Sequence, residues 1–345
     1  MKHRLCTIAI LILSWISVWG QTWVPDTLCA GYEMRHVDQP DDYAGRVIST
    51  IIRKMAPDSC SNGRGVLYVH GFNDYFFQSE MGDEFISHGY DFYAVDLRKY
   101  GRSILPGQKM FQVRSIDEYF PDIDSALVDM GRNGITEIVL MGHSTGGLIT
   151  SCYMNAAPDP NIRALILNSP FLDWNLGKME PLVGLVSAWG KLFPSTRISQ
   201  GESTAYAYSL LKQYHGEWTY DTCLKLTKSP DVDAGWVRAI NLAQKSLRDG
   251  RSHIDVPILL MYSDKSVEGD SWSEAFNHAD AVLDVKDIRK YGSKLGPDVT
   301  LVRVEGGLHD LVLSAPGVRR PLYRYIFSWL NSHMDKPSGG EMFAK

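Results

Sequence analysis

The feature that most constrains the fold is an apolar run that breaks into a glycine-rich turn. Residues 138–141 are Ile, Val, Leu and Met, and residues 142–146 continue as Gly-His-Ser-Thr-Gly before a segment of helical character. A strand, a tight turn and a helix in this order hold a serine in a strained conformation, with its hydroxyl above the sheet. Glycines on either side permit the close backbone approach that the turn needs. The motif predicts Ser144 as a nucleophile.

Strand and helix patterns alternate on both sides of this turn. The predicted strands are residues 46–53, 66–69, 91–96, 138–143, 163–168, 256–264, 281–285 and 299–304. The predicted helices are residues 76–88, 117–132, 145–157, 286–292 and 319–333. Such alternation is typical of an α/β fold in which helices flank a mostly parallel, twisted sheet.

The alternation stops between residues 172 and 251, where aromatic residues and helix-compatible pieces replace it. We interpret this segment as a helical cap, inserted after the sixth strand of the sheet. Candidate substrate-binding residues in it are Trp174, Trp189, Tyr206 and Trp218. The alternative is that these aromatics pack only against each other and the core, as large apolar side chains usually do.

The remaining divisions follow from these patterns. The core is expected to comprise residues 45–171 and 252–334, with the cap between its two parts. Residues 21–44 show no sustained period and are predicted as an extended lead-in. Residues 335–345 are predicted as a flexible tail.

The N-terminal residues have the pattern of a secretory signal peptide. Lys2, His3 and Arg4 precede an almost wholly apolar run, and Gly20 stands before Gln21. The run is shorter than the roughly 20 residues of a membrane-spanning helix, so an uncleaved anchor is the alternative. Removing residues 1–20 leaves 35 − 2 = 33 Lys and Arg against 40 Asp and Glu, a formal charge of −7. The protein is therefore expected to be secreted or periplasmic.

Charge and cysteine spacing limit the partners. The net charge of −5 and the lack of a basic block argue against nucleic acid. No Cys and His spacing suggests a zinc site, so we expect no metal. Export would allow disulfides among the four cysteines after residue 20, with three pairings open. Cys29 with Cys60 is suggested by their shared loop-rich region, and Cys152 is expected to be a buried free thiol.

A nucleophilic serine needs a base, and in doubly wound hydrolases the order along the chain is Ser, acid, His. Three histidines come late enough. His278 precedes a predicted strand and His333 lies in the last helix, whereas His309 lies in a glycine-rich loop after the last strand. His309 is the predicted base.

The acid is expected at the end of a strand that lies between Ser144 and His309 along the chain. Asp264 directly follows the strand that resumes the sheet after the cap, and it is the predicted acid. Asp173, after the preceding strand, is the alternative. Glu268 and Asp270 lie further along the loop than a strand end allows.

The oxyanion formed by serine attack requires fixed N–H donors. One is expected from Thr145, which follows the nucleophile. The other is expected from Phe72, because residues 70–72 read His-Gly-Phe after a predicted strand. The His70 side chain is predicted to support that loop.

Together these motifs resemble the serine-hydrolase branch of the α/β-hydrolase superfamily, and most of all its group of monoacylglycerol lipases, lysophospholipases and serine aminopeptidases. The likeness covers about residues 45–335. The residues that carry it are His70-Gly71, Asp96-Leu97-Arg98 through Gly101-Arg102-Ser103, Gly142 through Gly147, Asp264 and Gly306 through Asp310. Lys99 departs from the family, which commonly has glycine there. The resemblance implies the α/β-hydrolase fold and an esterase or lipase that uses neither metal nor cofactor.

The expected partner is thus a small-molecule acyl ester, with membrane contact only through a lipid substrate. Peptide hydrolysis from a free N-terminus is the alternative activity, for which Glu202 and Glu217 could receive the ammonium. A member that binds a lipid or protein without catalysis is the third possibility. The sequence does not name the natural ester or the oligomeric state.

Overall fold

A computed structural model describes residues 22–156, 158–248 and 250–334. The predicted signal peptide at residues 1–20 and the predicted tail at 335–345 lie outside the described residues. Among the helices of the described ranges, none is both long enough and apolar enough to span a bilayer.

A nine-stranded sheet carries the fold, and a separate pair of two-residue strands lies in the cap. The strands are β1 (Val24–Pro25), β2 (Glu33–Asp42), β3 (Gly45–Lys54), β4 (Arg64–Val69), β5 (Asp91–Asp96), β6 (Glu137–His143), β7 (Ile162–Asn168), β8 (Arg197–Ile198), β9 (Val232–Asp233), β10 (Ile258–Ser263) and β11 (Val299–Val304).

The strand order in the large sheet is β1-β2-β3-β5-β4-β6-β7-β10-β11. The pairs from β5 to β11 are parallel, whereas β1, β2 and β3 continue the sheet in antiparallel fashion. The carboxyl ends of the parallel strands therefore lie at one edge, where open α/β sheets bind their ligands.

The described ranges contain eight α-helices, and those outside residues 172–251 flank both faces of this sheet. The eight helices are α1 (Ser79–Ser87), α2 (Phe120–Arg132), α3 (Thr145–Ala156), α4 (Glu180–Leu192), α5 (Ala205–Leu210), α6 (Ala234–Leu247), α7 (Val285–Gly292) and α8 (Pro316–Met334). Successive residues of a strand enter opposite cores, since Leu67 and Val69 pack with α2 and α3 while Val66 and Tyr68 pack with α1 and α8. The mostly parallel sheet between helices confirms the predicted fold class.

Two segments differ from their predictions. The lead-in contains β2, which escaped the hydrophobic pattern because most of its side chains are polar and only Gln39 is fully buried. Residues 281–285 do not form a strand. The Asp280 carboxylate accepts hydrogen bonds from the N–H groups of Val282 and Leu283, both at 2.8 Å, and bends the chain into a turn that leads to α7.

Residues 172–251 lie between β7 and β10 and contain α4, α5 and α6. Helices α4 and α6 pack closely, because a Cβ on Gly190 would lie only 2.3 Å from the Ala234 carbonyl oxygen. This helical layer stands over the carboxyl edge of the sheet.

The suggested disulfide between Cys29 and Cys60 is wrong. The four cysteines of the described ranges are all free, and Cys29 is buried with its Sγ 3.7 Å from the Phe76 carbonyl oxygen while Cys60 is exposed. Cys152 is a buried free thiol as predicted. Burial raises the pKa of both buried thiols to about 12.

Candidate active site

Ser144 stands at the turn between β6 and α3 in a left-handed conformation, with φ of 52°. The turn is too tight for side chains at its glycines. A Cβ on Gly146 would lie 2.2 Å from the Val69 carbonyl oxygen, and one on Gly142 would lie 2.5 Å from the Gly146 carbonyl oxygen. Backbone strain of this kind projects the serine hydroxyl away from the sheet.

The 70–75 turn, which follows β4, packs directly against Ser144. A Cβ on Gly71 would lie 3.1 Å from the Ser144 Cβ, so glycine permits this approach. Thr145 is the first residue of α3, and its N–H therefore has no carbonyl partner within the helix. Phe72 and Thr145 thus lie in the two backbone segments that meet at Ser144, and both line the same cavity.

The core supports the 70–75 turn from below. His70 Nε2 lies 3.1 Å from the Leu97 N–H and accepts its hydrogen bond, so Nδ1 carries the proton and donates to the Gly71 carbonyl at 2.8 Å. His70 is fully buried and supports the turn, as predicted. The Arg102 guanidinium further holds the turn's far end by donating to the Phe76 carbonyl at 3.0 Å.

Lys99, the departure from the family pattern, occupies a left-handed position with φ of 63°. Its buried ammonium pairs with Asp42 on β2 at 2.5 Å. The lysine therefore ties the loop after β5 to the antiparallel edge of the sheet.

His309 is buried, and its Nδ1 lies 2.9 Å from Asp280 Oδ2. The other oxygen of Asp280 accepts the two backbone N–H groups that bend residues 281–283. Asp280 is fully buried, so its carboxylate has a fixed direction and orients the imidazole. The Tyr206 and His309 rings make a T-shaped contact, with 5.8 Å between their centroids.

Asp280 reaches this place although it is far along the chain from β10. The Asp280 N–H donates to the Lys265 carbonyl at 3.0 Å, and the Val267 N–H donates to the Asp280 carbonyl at 2.8 Å. These bonds close residues 265–280 into a loop whose end returns to the carboxyl end of β10. Asp280 therefore occupies the position beside His309 that the sequence had predicted for Asp264.

The assignment of Asp264 as the partner of the histidine is therefore wrong. Asp264 Oδ1 accepts the Gly306 N–H at 2.9 Å and holds the loop that carries His309. The alternative, Asp173, pairs with Arg248. Asp280 was not predicted as the acid because residues 281–285 were taken for a strand. The signal in the sequence was the pair of aspartates at 280 and 284, since each accepts at least one backbone N–H group of the residues that follow it and bends the chain there.

A buried polar cluster of Asp74, His143 and Asp310 lies behind the serine and histidine. The His143 and His309 rings are 4.9 Å apart. Burial lowers the pKa of His143, against the opposing effect of the Asp310 carboxylate. Asp310 accepts from Asn168 at 2.7 Å and from Gln78 at 3.1 Å.

The spacing of this cluster would suit a metal ion, but its carboxylates are already occupied. The Lys225 ammonium lies 3.0 Å from Asp74 Oδ1, and amide donors take both oxygens of Asp310. The residues present form an ion pair with its hydrogen bonds, and they do not fit a metal.

A cavity of about 300 Å³ opens between the sheet edge and the cap, and both Ser144 and His309 line it. Its aromatic part comprises Phe72, Phe171, Trp174, Tyr206, Tyr220, Trp236 and Phe276. Its polar part comprises Asn73, Asn175, Gln200, Ser203, Lys225, Thr227 and Ser229.

Two of the four predicted cap aromatics, Trp174 and Tyr206, line this cavity. The other two, Trp189 and Trp218, do not line the cavity, so their prediction as substrate-binding residues is wrong. Trp189 lies on α4 with 51% of its surface exposed. Trp218 donates to the Leu313 carbonyl at 2.7 Å and packs beneath Arg319. Aromatic content alone did not distinguish side chains that face the cavity from those that face solvent or the core.

The sheet order and the serine turn define an α/β-hydrolase. The family model described as serine aminopeptidase, S33, matches residues 62–316, and the chain belongs to this family. The match extends from the strand before the 70–75 turn to the start of α8 and so includes every residue of the candidate site.

Individual relatives are more distant. The chain is 27% identical over 140 residues to the phospholipase YtpA of Bacillus subtilis, an alignment that covers 40% of this chain and 52% of that protein. A soluble variant of the monoglyceride lipase of Saccharomyces cerevisiae, solved in complex with a substrate analogue, has a TM-score of 0.64 at 17% identity, and the match covers 87% of this chain and 96% of that chain. The monoacylglycerol lipase of Paleococcus ferrophilus has a TM-score of 0.61 at 21% identity, covering 82% and 98%.

Proposed function

We propose that this protein hydrolyses carboxylic esters through an acyl-enzyme on Ser144. His309 takes the proton of the serine hydroxyl while the serine oxygen bonds to the acyl carbonyl carbon. The same imidazole then returns the proton to the leaving alcohol. Water, deprotonated by His309, attacks the acyl-enzyme and frees the acid and the serine.

Asp280 keeps the imidazole in the tautomer that this cycle needs. Its carboxylate accepts a hydrogen bond from Nδ1–H, which leaves Nε2 free to accept the proton of the serine hydroxyl. The N–H groups of Phe72 and Thr145 are proposed to receive the oxyanion of both tetrahedral intermediates.

One observation carries the proposal above all others. A strained serine and a histidine already oriented by a buried carboxylate line the same cavity. Each of these features costs free energy or limits the sequence, and acyl transfer is the chemistry that uses all of them.

The cavity lining supports an ester with one apolar acyl chain and a small polar alcohol. Phe72, Trp174 and Trp236 form a contiguous aromatic wall, with ring centroids 4.7 Å apart for Phe72 and Trp236 and 6.0 Å apart for the two tryptophans. The polar part of the lining offers amide and hydroxyl groups for a glycerol-like alcohol. Lipid esters with a single chain, such as monoacylglycerols or lysophospholipids, fit both requirements.

The geometry gives little support to peptide hydrolysis from a free N-terminus. Such a reaction needs an unpaired carboxylate in the cavity to receive the ammonium. Glu202 pairs with Lys228, and Glu217 pairs with Arg319 at 2.8 Å, so neither predicted acceptor is free. An amino-acid amide panel tests this activity directly.

The decisive test is hydrolysis of p-nitrophenyl esters from acetate to palmitate by the wild type and by Ser144→Ala. We expect turnover in the wild type and a loss of at least about 10⁴-fold in the variant, with an unchanged circular dichroism spectrum. Labelling of the wild type alone by a fluorophosphonate separates catalysis from mere lipid binding. Turnover retained by Ser144→Ala would remove the proposal.

We also propose that the protein is exported, on the strength of the N-terminal sequence pattern. Cell fractionation followed by N-terminal sequencing checks this, with a first residue at Gln21 as the expected result.

A further inference from the structure

The cap is attached to the 70–75 turn by a set of bonds that the proposed chemistry has not yet used. Asn73, Asp74 and Tyr75 follow the proposed oxyanion donor Phe72, and each of them bonds a single cap segment, residues 221–226.

Asn73 makes the central contact. Its Nδ2 donates to the Leu226 carbonyl at 2.8 Å, and its Oδ1 accepts the Leu226 N–H at 2.9 Å. One side chain therefore satisfies both backbone groups of one cap residue. This two-point contact fixes orientation as well as distance, as paired hydrogen bonds do.

Asn73 also adopts a left-handed backbone, with φ of 50°. Asparagine tolerates this region better than most residues, but the conformation still needs support from its surroundings. The two hydrogen bonds to Leu226 supply that support at the residue directly after Phe72.

The neighbouring residues reinforce the contact. Lys225 pairs with the buried Asp74 at 3.0 Å, and the Asp221 N–H donates to the Tyr75 hydroxyl at 2.8 Å. The ammonium of Lys225 also stands 5.6 Å from the centre of the Phe77 ring. Removing the 221–226 segment would leave Asp74 buried beside Asp310 without its counterion.

We infer that residues 221–226 of the cap position the oxyanion donor of Phe72, with Asn73 as the positioning residue. The core fixes the beginning of the 70–75 turn through His70, and the cap fixes its end through Asn73. Docking of this cap segment therefore completes the catalytic site as well as covering it. This inference rests on the proposed ester hydrolysis.

The test uses Asn73→Gly in the full chain. Glycine adopts the left-handed backbone without strain, so this variant removes the bonds to Leu226 without straining the turn. Loss of a whole oxyanion donor lowers kcat by about 10²–10³-fold. A donor that is present but poorly aimed should cost less, and we expect kcat to fall about 10–100-fold with KM for a p-nitrophenyl ester within about threefold of the wild type.

A second readout isolates the oxyanion. A trifluoromethyl ketone bonds covalently to the serine oxygen, and its carbonyl oxygen becomes the oxyanion as the serine proton passes to the histidine. Its inhibition constant should weaken by the same factor as kcat/KM falls in Asn73→Gly. The inhibition constant of a free fatty acid, which forms no oxyanion, should stay within about threefold.

A matched pair of lysine variants extends the test. Lys225→Met removes the ammonium from Asp74 and should also lower kcat. Lys228→Met, in the same stretch of the cap, removes a half-exposed lysine that pairs with Glu202 and should leave kcat unchanged. Urea unfolding midpoints show whether either variant is folded, and Asn73→Gly keeps the test valid if Lys225→Met is not.

The outcomes separate the two proposals. A wild type without Ser144-dependent turnover overturns the ester hydrolase and this inference together. Turnover that Ser144→Ala abolishes, but that Asn73→Gly retains within threefold, overturns only the positioning role. A rise in KM at constant kcat likewise overturns it, because Asn73 would then contact substrate instead of positioning Phe72.

Discussion

Replacing Asp280 with asparagine should abolish most of the activity while leaving the fold in place. The Oδ1 position accepts two backbone N–H groups at 2.8 Å, which require an acceptor. The asparagine carbonyl oxygen must therefore occupy that position, and its NH₂ group must face His309 Nδ1. The imidazole would then accept on Nδ1 and carry its proton on Nε2, where it cannot receive one from Ser144.

The size of the effect follows from this forced tautomer. The same substitution in a serine, histidine and aspartate triad lowers kcat by about 10⁴-fold. We expect a fall of about 10³–10⁴-fold, which corresponds to about 4–5.5 kcal/mol in the activation barrier. The assay is kcat for p-nitrophenyl butyrate at pH 7.5, with circular dichroism and a urea midpoint as checks on folding.

Asp264→Asn is the matched control. Asp264 accepts only the Gly306 N–H among the contacts that bear on the His309 loop, and an amide oxygen can accept it equally well. This variant should keep kcat within about threefold. The reasoning is refuted if Asp264→Asn loses as much activity as expected for Asp280→Asn, or if Asp280→Asn retains more than a tenth of the wild-type kcat.

Three further predictions concern stability and thiol reactivity. Gly146→Ala should lower the free energy of unfolding by at least about 1–3 kcal/mol, because its Cβ would lie 2.2 Å from the Val69 carbonyl oxygen. A Cβ at Gly184 on α4 would meet nothing within 4 Å, so Gly184→Ala should raise the free energy of unfolding by up to about 1 kcal/mol. Urea titrations compare the two variants. In a chain lacking residues 1–20, a thiol reagent at pH 8 should modify only the exposed Cys60 and Cys223, and the buried Cys29 and Cys152 should react only after unfolding. Rapid labelling of Cys29 or Cys152 in the folded protein would contradict their burial. Burial in the folded state lowers the pKa of His143, so the unfolded chain binds more protons, and the free energy of unfolding should decline as pH falls below about 6.5. His143→Gln should flatten that decline. An identical pH profile of the unfolding free energy in the variant would contradict the role of His143.

Local patterns in the sequence were enough for the serine turn and for the buried strands of the sheet. Gly-His-Ser-Thr-Gly between a buried strand and a helical segment predicted the tight turn, because glycines permit the close backbone approach that it needs, and the structure shows the left-handed Ser144 there. The strands β4, β5, β6, β7, β10 and β11 were found from their apolar runs, since strands buried on both faces read as continuous hydrophobic segments. Chain order together with its position after the last strand singled out His309, and the structure places this imidazole beside the buried Asp280.

The partner of His309 was decided only by the tertiary structure. Its position directly after a strand suggested Asp264, but hydrogen bonds between residues 265–267 and Asp280 bring the later carboxylate back to the strand end. No periodic pattern records such a loop closure, because its bonds join backbone groups and leave the side-chain sequence free. The same holds for Asn73 and Leu226, which are 153 residues apart along the chain. The sequence by itself therefore determined the strands that are buried on both faces and the position of the serine turn. Contacts between distant loops decided which carboxylate pairs with His309 and which cap segment bonds the 70–75 turn.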